Sequence, residues 1–290
     1  MAKVYFTKDT SSEGLIKAFK ALGVTLDGKV AVKLHSGEEG NQNYLGPDFV
    51  KPLVDLVGGT VVECNTAYDG GRTNNEDHDK LLERHGWSKI FKVDLMDRDA
   101  SSTLEIPNGL VLKENYVGSH IHDYDSMLVL SHFKGHPMGG FGGALKQLSI
   151  GCASRLGKTW IHSAGTNKDA DSLWANLPEQ DKFLESMADA AESVHNLFNG
   201  HIVYINVMKN MSVDCDCCAV AEDPCLKDIG ILASLDPVAI DRACVDLVKN
   251  SSDEGKEHFM ERVTSRHGEH TIEAAEKLGF GSTEYELIEV

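Results

Sequence analysis

The alternation of short apolar runs with amphipathic stretches is the feature that most constrains the fold of this chain. Runs such as Lys29–Leu34, Thr60–Cys64 and Ile202–Val207 have the length of buried strands. Other stretches repeat apolar residues with the helical period, as in Gln180–Phe198, which is typical of a helix packed on one face. Strands that alternate with helices predict an α/β fold with mostly parallel sheets flanked by helices.

We expect a single domain over residues 1–290, which is long enough to bury a large core. A pair of α/β lobes with a cleft between them is the alternative, with the lobe boundary in the polar segment near residues 166–180. In either arrangement, ligands of an open α/β sheet bind at the carboxyl ends of its strands.

The charge balance narrows the class of partner. The chain has 45 acidic against 28 basic residues, a net charge of −17, which argues against nucleic acid or an anionic membrane as a partner. No apolar run approaches the roughly 18 residues of a transmembrane helix, and the N-terminal MAKVYFTKDT has no apolar signal-peptide core. These features predict a cytoplasmic protein whose cysteines stay reduced.

One stretch departs sharply from this acidic balance. Residues 126–168 contain no Asp or Glu, although an even distribution would place about seven there, and they contain five Lys or Arg and three His. A cationic island in an acidic chain predicts a binding site for a small anionic molecule. The alternative is a Gly-rich loop that only changes the direction of the chain and binds no ligand.

Candidate anion-binding residues lie in this island and in two loops that follow predicted strands. A helix that begins near Gly143 would direct its positive end at an anion, and His132, Lys134 and His136 share one side of an extended segment. Candidate catalytic residues are His136, Lys146 and His162. The predicted anion-binding residues are Asp69, Arg72, His132, Lys134, Gly142, Gly143 and His35.

A cysteine-rich segment, DCDCCAVAEDPC, predicts a metal centre. Its cysteines could converge on zinc or on an iron–sulfur cluster, although the spacing is neither the ferredoxin run nor a paired C-x2-C. A thiol-rich loop without metal and a pair of redox-active thiols are the alternatives. Cys64 and Cys244 fit core positions, and the role of Cys152 is open. The predicted metal ligands are Cys215, Cys217, Cys218 and Cys225.

Five long motifs together resemble a bacterial and archaeal domain-of-unknown-function family, often labelled uncharacterised iron–sulfur centre proteins. They are KLHSGEEGN (33–41), NTAYDGGRTNNEDH (65–78), SHFKGHPMGGFGGALKQLSIGCASRLGK (131–158), VDCDC (213–217) and DIGILASLDPVAIDRA (228–243). The resemblance spans nearly the whole chain and implies an iron–sulfur cluster or another metal. Family members commonly carry a ferredoxin-like insert with two C-x2-C-x2-C-x3-C runs, but residues 163–200 here contain no cysteine.

The order of several residues is also similar to that in nickel-pincer lactate racemases. Asp69-x-x-Arg72 is followed by His136, by Gly-rich sequence with Lys146, and then by His162. This similarity implies a nickel-type cofactor and proton or hydride exchange at a hydroxy acid. Histidine suits proton transfer near neutral pH, and arginine holds a carboxylate through two hydrogen bonds.

Three functional hypotheses follow. The first is a metal- or iron–sulfur-dependent enzyme, with redox chemistry as the leading class, that acts on a small anionic substrate in the His/Lys/Gly-rich cleft. The second is a metallocofactor-dependent racemase or epimerase, with His136 and His162 as the acid–base pair and Lys146 as the cofactor anchor. The third is a metal-binding or electron-transfer accessory protein without catalytic activity. A redox partner protein and a homo-oligomer both remain open.

Overall fold

The computed structural model describes residues 1–175 and 177–290. Eight of its strands form one central sheet, and the others form two small hairpins. The strands are β1 (Ala2–Thr7), β2 (Val30–Lys33), β3 (Thr60–Glu63), β4 (Asp94–Leu95), β5 (Ser101–Glu105), β6 (Glu114–Gly118), β7 (Ser126–His132), β8 (Lys134–His136), β9 (Gly140–Gly142), β10 (Ile202–Met208), β11 (Gly230–Ser234) and β12 (Tyr285–Glu289).

The central sheet is mostly parallel. Its strand order is β12-β1-β11-β10-β7-β2-β3-β4, and only β11 runs antiparallel to its neighbours β1 and β10. The run β10-β7-β2-β3 is parallel throughout, with Val30 opposite Ser126 and Val61 opposite Val32. The predicted α/β class with a mostly parallel sheet is confirmed.

Helices cover both faces of this sheet. Side chains alternate along the strands, so that Ala31 and Val129 enter the core on one face while Val32 and Leu128 enter the core on the other. The helices are α1 (Ser12–Ala21), α2 (Pro47–Val57), α3 (Asn75–Arg84), α4 (Trp87–Ile90), α5 (Ala144–Cys152), α6 (Arg155–His162), α7 (Gln180–Leu197), α8 (Pro237–Lys249), α9 (Lys256–Ser265) and α10 (His270–Leu278).

The helices α1, α2, α3 and α4 cover one face, whereas α5, α7 and α8 pack with α9 and α10 on the other. In the described residues, none of the helices combines the length and the apolar character that crossing a bilayer requires. The predicted lobe boundary near 166–180 includes Asn176, which lies outside the described residues, and the boundary stays a prediction.

One strand is much shorter than the sequence pattern predicts. We expect a strand over Ile90–Leu95, but Trp87–Ile90 forms the short helix α4 and only Asp94–Leu95 pairs with β3. Gly86 takes a left-handed φ of 82° before this helix, and the buried Trp87 indole donates a hydrogen bond to the Ser36 carbonyl at 3.0 Å. This tertiary anchor overrides the local apolar pattern.

Candidate functional site

A pocket lies at the carboxyl edge of the parallel run β10-β7-β2-β3, where the chain leaves four neighbouring strands. Its cavity volume is about 40 Å³, well below the roughly 300–1,000 Å³ typical of small-molecule sites. The position is the one at which open α/β sheets bind ligands. Its lining residues are Lys33, His35, Glu63, Cys64, Thr66, Tyr68, Arg72, His136, Lys146, Gln147, Ile150, Gly151, Lys158, His162 and Cys217.

One wall of the pocket is a buried ion-pair network. Lys33 Nζ lies 2.7 Å from Glu63 Oε2, and Arg72 Nε lies 3.1 Å from Glu38 Oε2. Burial alone would raise the pKa of Glu63, but the charges of Lys33, His35 and Arg72 hold that pKa well below its usual range. Glu63 is therefore ionised, and Lys33 and Arg72 are largely neutralised by their own partners.

The opposite side carries a cluster of sulfur and nitrogen atoms. Lys146 Nζ lies 3.3 Å from Cys215 Sγ, and the Cys217 N–H points at the same sulfur at 3.4 Å. His136, Cys215 and Cys217 each place one ligand atom within 4.8 Å of the others, so these three residues could hold one metal ion. The structure thus contains a candidate metal-binding His/Cys group beside the pocket.

The two sulfurs differ in protonation. Burial would raise the pKa of Cys215, but the Cys217 thiol, Lys146 and His136 hold it well below its usual range. The hydrogen bond to Cys215 raises the pKa of Cys217 well above its usual value. Of the two sulfurs, Cys215 is thus the one with the lower pKa, and Cys217 is the one that lines the pocket.

The ring of His136 is fixed by its own turn. The backbone N–H groups of Met138 and Gly139 donate to His136 Nδ1 at 3.1 and 2.8 Å. Because Nδ1 accepts, the proton of the neutral ring lies on Nε2, which is 4.0 Å from Cys217 Sγ. Burial and the neighbouring Lys146 lower the pKa of His136, so the ring is neutral at pH 7.

A close backbone approach brings the cysteine loop to His136. The Gly135 N–H donates to the Ser212 carbonyl at 2.8 Å. A Cβ at residue 135 would lie 2.2 Å from the Val213 carbonyl oxygen, so only glycine allows this contact.

His162 has the opposite tautomer to His136. Its Nδ1 lies 2.7 Å from the Lys158 carbonyl, one turn earlier in α6, and must donate the proton. Nε2 therefore carries the lone pair. Burial lowers the pKa of His162 to about 4, so the ring is a free base at pH 7. Phe183 stacks on the ring with centroids 5.2 Å apart and fixes its plane.

His132 and Lys134, predicted to bind an anion, instead bind a carboxylate of the protein. His132 Nδ1 lies 2.9 Å from Asp216 Oδ1, and Lys134 Nζ lies 3.1 Å from Asp216 Oδ2. The other ring nitrogen of His132 donates to the Lys209 carbonyl at 2.6 Å. These contacts hold the loop between Cys215 and Cys217 in place, and neither side chain lines the pocket.

Gly142 and Gly143 do not bind a ligand through the helix N-terminus. The Asp241 carboxylate accepts hydrogen bonds from Ala144 N at 2.8 Å and Leu145 N at 3.0 Å, so the protein supplies the anion itself. A Cβ at Gly143 would lie 2.2 Å from Asp241 Oδ1, and one at Gly142 would lie 2.9 Å from Lys146 Cδ. Both glycines serve close packing.

The remaining predicted residues divide between the pocket and other places. His35 and Arg72 line the pocket, whereas Asp69 is exposed and is not among the lining residues. Cys218 and Cys225 are absent from the metal-capable group found in the described residues, and Cys225 Sγ points at the Met211 carbonyl at 3.5 Å. Within the described residues the four cysteines do not converge on one point, and the four-cysteine cluster stays a prediction.

Several lining residues were not singled out as site residues from sequence. Lys33 and Glu63 are the last residues of the buried strands β2 and β3. Tyr68 was not recognised as a site residue from any sequence pattern. Gln147 follows Lys146 directly, and Lys158 precedes His162 by four residues on α6. The helical period of α6 is the signal that could have found Lys158, since it places Lys158 one turn before the predicted catalytic His162. No comparable signal marks Gln147, because adjacent residues of a helix do not face the same way.

The fold and the pocket define an α/β protein with a buried, cation-rich His/Cys site at the carboxyl edge of its sheet. The profile of the family described as "Domain of unknown function (DUF362)" matches residues 30–246, and the chain belongs to this family. The family predicted from the motifs is thereby confirmed. No curated protein matches the chain at a significant level.

Two solved structures are similar to the chain. The lactate racemase apoprotein from Thermoanaerobacterium thermosaccharolyticum has a TM-score of 0.41 and 12% identity, covering 70% of this chain and 50% of that one. A protein from Thermotoga maritima has a TM-score of 0.39 and 13% identity, covering 92% of this chain and 58% of that one. The chain thus spans half to somewhat more than half the length of these proteins.

Proposed function

We propose that this protein is an enzyme that removes a proton from a small carboxylate substrate, with His162 as the general base. The observation that carries the proposal is the hydrogen bond from His162 Nδ1 to the Lys158 carbonyl, which leaves the Nε2 lone pair available beside a cationic pocket. A neutral imidazole of fixed tautomer has a lone pair with which to accept a proton at neutral pH.

The rest of the pocket suits the charge that this step develops. Proton removal next to a carboxylate places negative charge on the substrate, and preorganised donors in a buried site stabilise such charge. Lys146 and Lys158 line the pocket and bring positive charge to it. The reaction class is proton exchange at carbon, as in a racemase or epimerase.

The test is exchange of substrate C–H protons in D2O, followed by NMR, over a panel of three- and four-carbon 2-hydroxy and 2-amino acids. We expect exchange with the wild type and a loss of about 10²- to 10⁴-fold in His162→Gln. The matched control is His122→Gln, because His122 is exposed and bonds Ser102. Equal exchange by His162→Gln and the wild type would contradict the proposal.

A metal-dependent redox enzyme is the second candidate, favoured by the spacing of His136, Cys215 and Cys217. One imidazole and two thiolates suit zinc or a related ion with an open position toward the pocket. His136, however, presents an N–H and not a lone pair to the sulfurs, because backbone N–H groups occupy its Nδ1. The group fits a metal in spacing, and an ion bound at His136 Nε2 would have to displace the proton there.

The free thiols also bear on the location of the protein. All seven cysteines are unpaired, including the adjacent Cys217 and Cys218. Free cysteines persist best in a reducing compartment, which supports the cytoplasm as the proposed location.

A further inference from the structure

One lysine of the pocket has no anionic partner of its own. Lys33 pairs with Glu63, Arg72 pairs with Glu38, and Lys146 Nζ donates to Cys215 Sγ at 3.3 Å. The remaining cation, Lys158, is 5% exposed and makes no ion pair with any described residue. A buried charge without a counter-ion is costly, so its presence calls for an explanation.

Lys158 also retains unused hydrogen-bond donors. Its Nζ donates to the Ala153 carbonyl at 2.6 Å, and an ammonium group has three N–H bonds. Two donors are therefore available to a ligand in the pocket.

Gln147 presents a second unsatisfied donor to the same pocket. Its side chain is 4% exposed, and Nε2 has no hydrogen-bond partner within the part of the chain that is described. The residue lies on α5, one position after Lys146 and four before Gly151. A Cβ at Gly151 would lie 3.0 Å from Gln147 Oε1 and 3.2 Å from Lys33 Cε, so Gly151 leaves room for this amide.

We infer that Lys158 and Gln147 form the subsite that binds the carboxylate of the substrate. The two side chains bring N–H donors and one uncompensated positive charge, and a carboxylate brings two acceptor oxygens and one negative charge. Lys158 and His162 are four residues apart on α6 and share one face, so a carboxylate held by Lys158 lies one helical turn from the base. The inference rests on the proposed anionic substrate and assigns its binding group.

The test compares acetate with acetamide, which has the same shape without the charge, at constant ionic strength. Binding is measured by calorimetry and by thermal stabilisation of the full chain. We expect the wild type to prefer acetate, and Lys158→Met and Gln147→Leu each to weaken acetate binding about 10- to 100-fold, as loss of hydrogen bonds to a charged group implies. Lys182→Met, which changes an exposed lysine of α7, is the control.

Each other outcome overturns the assignment in a distinguishable way. Unchanged acetate binding in both Lys158→Met and Gln147→Leu would place the carboxylate elsewhere and leave the general-base proposal intact. An acetate-insensitive wild type that also fails to exchange substrate protons would overturn both. Trapping of pyruvate on Lys158 by borohydride would identify a neutral amine nucleophile in place of an anion subsite. If Lys158→Met does not fold, Gln147→Leu decides alone.

Discussion

The carboxylate of Asp241 lies against the first turn of α5 and accepts the backbone N–H of Ala144 at 2.8 Å. Asp241 is on α8, far along the chain, and also accepts Leu145 N and the Asn206 side chain. It fills the positive end of the helix that carries Lys146 and Gln147. This contact is therefore part of what positions the pocket.

Replacing Asp241 tests this role. We expect Asp241→Asn to lower the free energy of unfolding by about 1–3 kcal/mol at pH 4, because the amide replaces one acceptor oxygen by an NH2 group that faces N–H donors. Urea denaturation measures the change, and Asp27→Asn at an exposed position is the control. Equal stability of Asp241→Asn and the wild type would mean that water or another group satisfies these N–H donors.

The same residue gives a defined pH dependence. Burial raises the pKa of Asp241 from 3.8 to about 6. A raised pKa means that the folded state holds its proton longer than the unfolded state, so stability from this group is present below pH 4 and lost as pH rises to 6. The loss is on the order of 3 kcal/mol. We expect the stability of the wild type relative to Asp241→Asn to fall over this interval, and a constant difference would contradict the shift.

The pH dependence of stability expected from Asp216 is opposite to that expected from Asp241. Burial would raise its pKa, but His132 and Lys134 lower it below the usual value. Its stabilising contribution is thus present above about pH 4 and is lost as the pH falls further. We expect Asp216→Asn to cost about 3–5 kcal/mol at pH 7, because it leaves the buried Lys134 without its anion.

Acid and urea unfolding of Asp216→Asn should be compared with Asp55→Asn. Asp55 pairs with Lys51 on the exposed face of α2, and such pairs contribute about 0–1 kcal/mol. A similar loss in both variants would show that the buried pair is no stronger than a surface pair. If the free energy of unfolding falls with decreasing pH equally steeply in Asp216→Asn and in the wild type, the lowered pKa of Asp216 is contradicted.

Local pattern was sufficient for most of the fold. Asp236 and Pro237 predict the start of α8, and Asp236 does accept Val238 N and Ala239 N there. The pattern failed at Ile90–Leu95, where the anchor is the contact of Trp87 with Ser36, about fifty residues earlier in the chain. Local propensity cannot register a hydrogen bond over that separation.

In the pocket, too, some features could be predicted from local sequence, whereas others depend on contacts between distant segments. The carboxyl-edge rule brought His35, Arg72 and His136 to one place because parallel strands end at one edge. It could not show that Asp216 neutralises Lys134, or that Asp241 takes the helix N-terminus, because both carboxylates come from distant segments. Residue type identified the cations, but only the fold shows which of them are already paired.

The pH profile of proton exchange follows from His162. Since burial lowers its pKa to about 4, the ring stays unprotonated above that pH. We expect kcat/KM for exchange to rise up to about pH 5 and to be level from there to pH 8, in contrast to an ordinary histidine with a pKa near 6.5. Initial rates across this range measure it, and an inflection near pH 6.5 would show that His162 is not the base or is not buried.

The metal-dependent candidate makes a separate prediction about two cysteines. Cys217 Sγ lies in the group with His136 and Cys215, whereas Cys225 Sγ points at the Met211 carbonyl. If the chain binds a metal at this group, Cys217→Ser lowers the bound zinc or nickel by at least about tenfold, and Cys225→Ser does not. Metal analysis and titration of anaerobically purified protein measure this, with far-UV circular dichroism as the folding control.

Equal metal loss in both variants would require the wider cysteine segment to act as one site, and equal retention would place the metal elsewhere. Acid-labile sulfide that depends on Cys225 would revive the four-cysteine cluster, because that thiol can join the others only if the loop between Cys217 and Cys225 rearranges.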